Sequence, residues 1–311
     1  MHMKFKGYLL AAIAAATYGT NPAFALPLYA DGMNPTSVLL FRYLLGLPIL
    51  AIMMAWRRRK LTLRSNEVLP LAVLGIMMAI SSLTLFEAYN HMNSGIASTL
   101  LFIYPVLVAV LMAFFFHERF RITTGICLLI MGAGLMLLLR SEAGFTLSVT
   151  GCLLVFISSL TYALYIVMTN VSKTVQGIPT LKLLFWQLAF GSTVFMAMIA
   201  SGSQLTIPTH SAGWLNIVAL SALPTVVSLS CTTLAIHAIG PTPTAIFGAL
   251  EPVTAVVLGV LLLDQSLTTR ELAGGILIII ATTMVVVADP IDNALLRVRR
   301  MFPSLRKHIR S

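Results

Sequence analysis

The sequence predicts an all-α integral membrane protein that crosses the bilayer ten times. Three observations point there. Apolar residues make up 58% of the chain and charged residues only 10%, where soluble domains have about 45–50% and about a quarter. A soluble fold of 311 residues could not cover its surface with so little charge, and a disordered chain would need far more polarity to stay solvated. Windows of about 19 residues resolve ten apolar stretches without long alternating segments, so helices, not a β-barrel, are the spanning structure that lipid allows. The net charge of +10 is concentrated between those stretches and in the tail. That pattern orients a membrane protein and argues against nucleic acid as a partner.

The first span covers 7–29. Lys4 and Lys6, ahead of an apolar run to Ala14-Ala15-Ala16, resemble a cleavable signal peptide. The apolar run nevertheless continues to Tyr29, long enough to span, and a similar segment recurs in mid-chain, so this stretch is read as a retained helix. The remaining spans are 35–56, 68–89, 94–116, 122–140, 149–170, 180–200, 213–236, 241–263 and 271–288, with ends placed to about 2–4 residues. Cys127, Cys152 and Cys231 all fall inside apolar runs, as buried small hydrophobes would, and suggest no disulfide framework. The tail 291–311 spaces Leu295, Val298, Phe302, Leu305 and Ile309 at three and four residues among arginines. This suits either a basic amphipathic helix on an anionic leaflet, interrupted by Pro303, or an extended solvated tail.

Orientation follows from the basic residues. With the N-terminus in the cytoplasm, the inner segments hold Lys4, Lys6, Arg57, Arg58, Arg59, Lys60, Arg64, Arg119, Arg121, Lys173, Lys182 and the basic tail. The outer loops hold only Arg140 and Arg270, which leaves Arg42 inside a span. Both termini are therefore expected in the cytoplasm, with the protein in the cell inner membrane.

The chain also repeats itself. Gly7-Tyr8-Leu9-Leu10 through Thr17-Tyr18 aligns with Gly151-Cys152-Leu153-Leu154 through Thr161-Tyr162, and Pro35-Thr36 with Leu39-Leu40-Phe41 aligns with Pro179-Thr180 and Leu183-Leu184-Phe185. Further on, Ala88 matches Ala235 and Pro105-Val106 matches Pro252-Val253. The expected halves are 1–145 and 146–290. Five spans is an odd number, so the second half must enter the membrane inverted relative to the first. Inverted repeats are typical of secondary transporters, whose similar halves exchange inward-open and outward-open shapes.

Several motifs resemble those of the EamA family of the drug/metabolite transporter superfamily. Thr17-Tyr18-Gly19-Thr20-Asn21-Pro22 resembles the first-helix signature, with Tyr18 for the usual Trp, and Phe41-Arg42-Tyr43 resembles the second-helix Arg motif. Tyr104-Pro105-Val106 and Phe116-His117-Glu118-Arg119-Phe120 are similar to the helix-four Pro and the "GER" turn after it, with His for Gly. Ile239-Gly240-Pro241-Thr242 and Leu250-Glu251-Pro252-Val253-Thr254-Ala255-Val256 resemble the strongest motif, whereas Asp264-Gln265-Ser266-Leu267 departs from the second "GER" turn. The resemblance implies ten helices around a central cavity, lined mainly by helices 1, 3, 4, 6, 8 and 9. It implies a carrier of amino acids, other small metabolites or drugs, usually by export, and leaves the substrate open.

Glu251, read as about ten residues into its span, is expected near the midplane, where a charge is costly and by default functional. A carboxyl there could take up a proton. The plainer reading is local hydrogen bonding beside Pro252. Arg42 and Glu87 most simply neutralise each other, with a gating consequence, and Arg42 with Glu251 is the sharper alternative. Tyr18 and Tyr162 are repeat mates at mid-depth, with Asn21 one turn on and Tyr104 as the repeat mate of Glu251. These four and Glu251 are the candidate substrate-binding residues. Tyr8 and Tyr29, near span ends, fit an interfacial belt. Pro22, Pro105, Pro224 and Pro252 mark helices able to bend, or are simply tolerated in lipid. The 16 Met residues suit gap-filling or an adaptable cavity lining.

No metal site, cofactor or catalytic constellation is expected, since no H-E-x-x-H occurs and His117-Glu118-Arg119-Phe120-Arg121 lacks the second His. A channel would need a continuous polar pore. The expected function is alternating-access export of a small metabolite, with a hydrophobic or aromatic amino acid favoured. The alternative is a drug or organic-cation antiporter, with protons as the coupled partner and Glu251 as counter-charge.

Overall fold

A computed structural model of the chain describes residues 2–92, 97, 100–116, 122–138, 148–263, 269–270 and 272–284. The turn 117–121, Arg140, the segment 264–268 and the tail 291–311 lie outside the described residues. Within a bilayer each main-chain N–H and C=O must find its partner inside the protein, and the apolar runs accordingly become helices. Their order is α1 (His2–Tyr18), α2 (Asn21–Ala30), α3 (Pro35–Trp56), α4 (Ser65–Ala88), α5 (Tyr104–Phe116), α6 (Ile122–Leu138) and α7 (Val149–Val171). The short α8 (Lys173–Gln176), α9 (Thr180–Ala200) and α10 (Ser211–Leu220) follow, and α10 runs through a π-helical turn (Ser221–Val227) into α11 (Ser228–Ile239). The last helices are α12 (Pro241–Phe247), α13 (Leu250–Leu263) and α14 (Leu272–Met284). No strand occurs among the described residues.

Six helical stretches are long and apolar enough to cross a membrane, namely Lys4–Ala30, Pro35–Trp56, Ser65–Ala88, Val149–Val171, Thr180–Ala200 and Ser211–Ile239. The shorter α5, α6, α13 and α14 lie within the other four expected spans. Sequence signals set the starts. Asn34 caps α3 by accepting from the Ser37 N–H at 2.8 Å, with Pro35 at the first helical position, and Ser148 caps α7 through the Gly151 N–H.

The packing crosses between the expected halves. The most extensive contacts are α4 along α7 and α1 along α11, and α5 meets α7 as α13 meets α1. Helix α9 packs on both α3 and α4, and α3 packs on the π-helical turn. Exchanging the halves maps these pairs onto one another. Two repeat mates occupy matching tight crossings: a Cβ on Gly7 would lie 2.6 Å from Ile239 Cγ2, and one on Gly151 would lie 2.5 Å from Met92 Cε. Helices α4 and α7 are also tied by Ser81 and Ser158, each hydroxyl donating to the other's main-chain carbonyl at 3.0 and 2.7 Å.

The turns cluster at two ends. At one, the Asn34 N–H donates to Thr206 Oγ1 and its amide donates to the Gln204 carbonyl. At the other, a helix length away along α3, the Trp186 indole donates to the Leu61 carbonyl and Lys182 pairs with Glu67. The three cysteines are free, with Cys127 buried and Cys152 and Cys231 half-buried. Tyr8 and Tyr29 differ from the belt expectation. Their rings pack inward on Phe247 at 5.6 Å and Phe86 at 6.2 Å, because the helix ends that carry them abut neighbouring helices.

Candidate functional site

A lipid-embedded helix that stops part-way leaves main-chain groups free, and such breaks are tolerated inside protein or beside a cavity. Three expected spans are broken here. The first is interrupted at Gly19-Thr20, the fourth turns at Phe102-Ile103, and the ninth is interrupted at Gly248-Ala249. In each, a proline stands in the first turn of the helix that resumes: Pro22 in α2, Pro105 in α5 and Pro252 in α13. There its missing N–H costs nothing to the new helix and could not have continued the old one.

The breaks meet. A Cβ on Gly19 would lie 2.5 Å from the Glu251 carbonyl oxygen, and the Tyr104 hydroxyl fills the position where a Cβ on Gly248 would stand. Between them lies a cavity of about 40 Å3 bordered by Tyr18, Asn21, Pro22, Tyr89, Phe102, Glu251 and Pro252, with Leu85 and Leu101 as its apolar wall. A second space of about 10 Å3 lies among Tyr104, Tyr162, Ser228, Thr232, Thr244 and Glu251. Glu251 borders both.

Reading 241–263 as one continuous helix is corrected by the break at Gly248-Ala249. Glu251 stands in the first turn of α13, its N–H donating to the Gly248 carbonyl at 2.9 Å, where the positive end of a helix favours a carboxylate. Asn21 is buried beside the cavity, and its side-chain oxygen has no hydrogen-bond partner among the described residues.

Arg42 is 1% exposed. Its Nε donates to Thr225 Oγ1 at 2.5 Å and its Nη2 to the Pro224 carbonyl at 3.3 Å. The guanidinium carbon lies 5.9 Å from the Tyr18 ring centroid, and Nη1 has no hydrogen-bond partner among the described residues. Among the described residues no ion pair joins Arg42 to Glu87 or to Glu251, so both expected pairings are corrected. The reason is the π-helical turn around Pro224, which widens the helix and presents a carbonyl and a hydroxyl to α3. Glu87 is half-buried and borders neither cavity.

Residues 5–140 and again 149–287 match the EamA-like transporter family. The chain belongs to that family. It is similar to the uncharacterized transporter YdfC of Bacillus subtilis (strain 168), with 23% identity over 249 residues, 79% of this chain and 80% of the relative. Its fold matches that of a crystal structure at a TM-score of 0.77 and 19% identity, covering 95% of this chain and 98% of that one. The protein is thus a multi-pass membrane transporter of the EamA type.

In this EamA-like protein the tyrosines expected at one site divide between the two cavities. Tyr18 borders the larger space, while Tyr104 and Tyr162 form the wall of the smaller one, edge to face at 4.9 Å, with Tyr165 stacked on Tyr162 at 6.0 Å. The Tyr165 hydroxyl donates to Gln187 Oε1 at 3.4 Å, and Gln187 Nε2 is buried without a partner among the described residues. Tyr89, Tyr165 and Gln187 were not singled out from the sequence. A lone Gln in the apolar run of α9 was the signal for Gln187; Tyr89, at the end of its span, carried none. No group of three His, Cys, Asp or Glu able to hold a metal occurs among the described residues.

Proposed function

We propose that this protein is a secondary transporter exporting a small zwitterion with an apolar side chain, a hydrophobic or aromatic amino acid or a close relative, across the bacterial inner membrane. The observation that carries this reading is the convergence of three helix breaks on one polar and aromatic cavity. Tyr18, Tyr89 and Phe102 offer aromatic faces, and Glu251 with the unpartnered Asn21 oxygen offers acceptors to an ammonium group. The α2 N-terminus at Asn21 turns its positive end toward a carboxylate. At about 40 Å3 the cavity admits water and no amino acid. Cargo therefore requires the broken helices to part, with Pro22, Pro105, Pro224 and Pro252 as bending points.

The same reading takes the chain as ten spans in two inverted halves, 1–145 and 146–290, with both termini cytoplasmic. Its supports are the separate family matches at 5–140 and 149–287, the exchange-symmetric packing and the matched crossings of Gly7 and Gly151. The turns 31–34 and 172–179, repeat mates, lie at opposite ends.

One observation favours a drug or organic-cation antiporter coupled to protons: Glu251 has no basic ion-pair partner among the described residues, leaving its charge for a cationic cargo. Counterflow in proteoliposomes separates the two. Uptake of labelled aromatic amino acids, exceeding that of tetraphenylphosphonium and of sugars, supports the zwitterion reading. Counterflow with the cation alone replaces it with the antiporter, and transport of sugars alone overturns both.

A further inference from the structure

A third cavity, of about 290 Å3, lies at the end of the molecule opposite the turns 31–34 and 201–206. Its walls come from both halves of the chain. The turn after α3 contributes Arg59, Lys60 and Thr62, the start of α4 contributes Arg64 and Glu67, and the first turn of α9 contributes Lys182. Among the described residues Glu67 is the one carboxylate of this lining, and it is already engaged: it accepts from Lys182 Nζ at 2.5 Å and from the Arg64 N–H at 3.0 Å, in a buried pair. Four basic side chains therefore face one carboxylate, and Arg59, Lys60 and Arg64 are exposed around the opening.

Three further observations bear on what this cavity takes. The N-termini of α4 and α9 both open onto it, adding their partial positive charge. Arg58 holds a φ of 50°, a left-handed conformation that a long side chain adopts at a cost, and it does so just where the chain bends toward Arg59 and Lys60. Trp56, exposed at the end of α3, and Trp186, bonded to the Leu61 carbonyl, mark this level as the membrane interface, where aromatic belts lie.

We infer that this cavity binds a phosphate-bearing anion, either the headgroup of an anionic phospholipid or a soluble phosphate monoester. Its volume approaches the lower end of small-molecule sites, about 300 Å3. Basic pockets between spanning helices at the headgroup level suit such groups. A phosphate there bridges the turn after α3 to α9, and so holds the two halves together at this end. The inference is independent of the cargo reading for the central cavity.

The test uses the whole protein in phosphatidylcholine nanodiscs. Phosphatidylglycerol is titrated into the lipid, and inorganic phosphate and glycerol phosphate into the buffer, at constant ionic strength, with Tm as the readout. A saturating rise in Tm is expected. In Arg59→Gln/Lys60→Gln its half-saturation should move by about 25-fold, at roughly fivefold per basic residue. Arg57→Gln/Lys173→Gln removes equal charge outside the lining and should leave it in place. Saturation by phosphatidylglycerol alone assigns the lipid, by the soluble phosphates alone the free anion, and by both the shared phosphate group. An equal effect of the two variants, or no saturating rise, overturns the site. Native mass spectrometry of the unaltered protein gives a readout free of variant folding: a retained phosphatidylglycerol or phosphate adduct supports the site, and neither overturns it.

Discussion

A methyl group on Gly19 would stand 2.5 Å from the main-chain carbonyl oxygen of Glu251 and 2.9 Å from Thr254 Cβ. The end of α1 and the start of α13 thus touch backbone to backbone, which no rotamer change can relieve. Gly19→Ala should force them apart, costing about 1–3 kcal/mol of the closed form. It is expected to lower Tm in detergent and to raise the reactivity of a cysteine placed at Tyr89 on the cavity wall. Gly132→Ala, with nothing within 4 Å of the added carbon, is the matched control and should leave both unchanged. Identical behaviour of the two variants would remove the tight contact from the account.

Arg42 depends on Thr225 and Pro224 rather than on an acid. Thr225→Val keeps the shape and deletes one acceptor for a buried charge, so a loss of about 1–3 kcal/mol is expected. Arg42→Lys should cost a similar amount, because a single ammonium lacks the guanidinium's fork and cannot meet both acceptors. The double variant should fall short of the sum. Glu87→Gln should stay within about 0.5 kcal/mol. Strong coupling between Glu87 and Arg42 in a thermal-denaturation cycle would restore the ion pair.

The helices were legible because the hydrophobic windows measure what lipid demands of a chain. The breaks were not. The windows 7–29 and 241–263 run straight through Gly19-Thr20 and Gly248-Ala249, since an interruption of two residues barely changes an average over a whole span. Pro22, Pro105 and Pro252 were read as possible bends, and their place in a first turn needs the neighbouring helix to be seen. Arg42 shows a different limit. Sequence offers charges as partners for a charge, and the actual partners are a hydroxyl and a carbonyl turned outward by the π-helical turn at Pro224. Residues near Glu251 fared better: Tyr18 and Asn21 do border its cavity, while Tyr104 and Tyr162 stand behind it.

Glu251 borders both spaces, and its effect on transport should come from charge and hydrogen bonding, not bulk. Glu251→Gln is expected to keep the fold, lower counterflow and flatten any dependence of that counterflow on pH. Unaltered transport with an unaltered pH profile would return Glu251 to local hydrogen bonding beside Pro252.

The proposed topology puts the turns bearing Lys60 and Lys173 in the cytoplasm. Single cysteines at these positions in a cysteine-free background should react with a membrane-impermeant maleimide only after permeabilisation, and one at Gln204 should react in intact cells. Reaction of residues 60 and 173 from outside would reverse the orientation. Reaction of one from each side would end the inverted-repeat reading, because both turns are then no longer at one end.

Tyr18 borders the larger cavity, with the Arg42 guanidinium carbon 5.9 Å from its ring centroid, and in the proposed reading its ring meets the cargo. If the ring supplies contact area, Tyr18→Phe should keep most of the binding, while Tyr18→Ala should lose about 1.5–3 kcal/mol, the worth of a buried large side chain, or roughly 10- to 150-fold in affinity. Tyr162 differs. Its ring is packed between Tyr104 and Tyr165, so Tyr162→Ala should lower Tm more than it weakens binding at a temperature where the protein stays folded. Isothermal titration with the amino acid giving the strongest counterflow, run beside thermal scans, separates the two effects. Binding lost in Tyr162→Ala and kept in Tyr18→Ala would move the cargo to the smaller space behind Glu251, where Ser228, Thr232 and Thr244 would be its polar contacts.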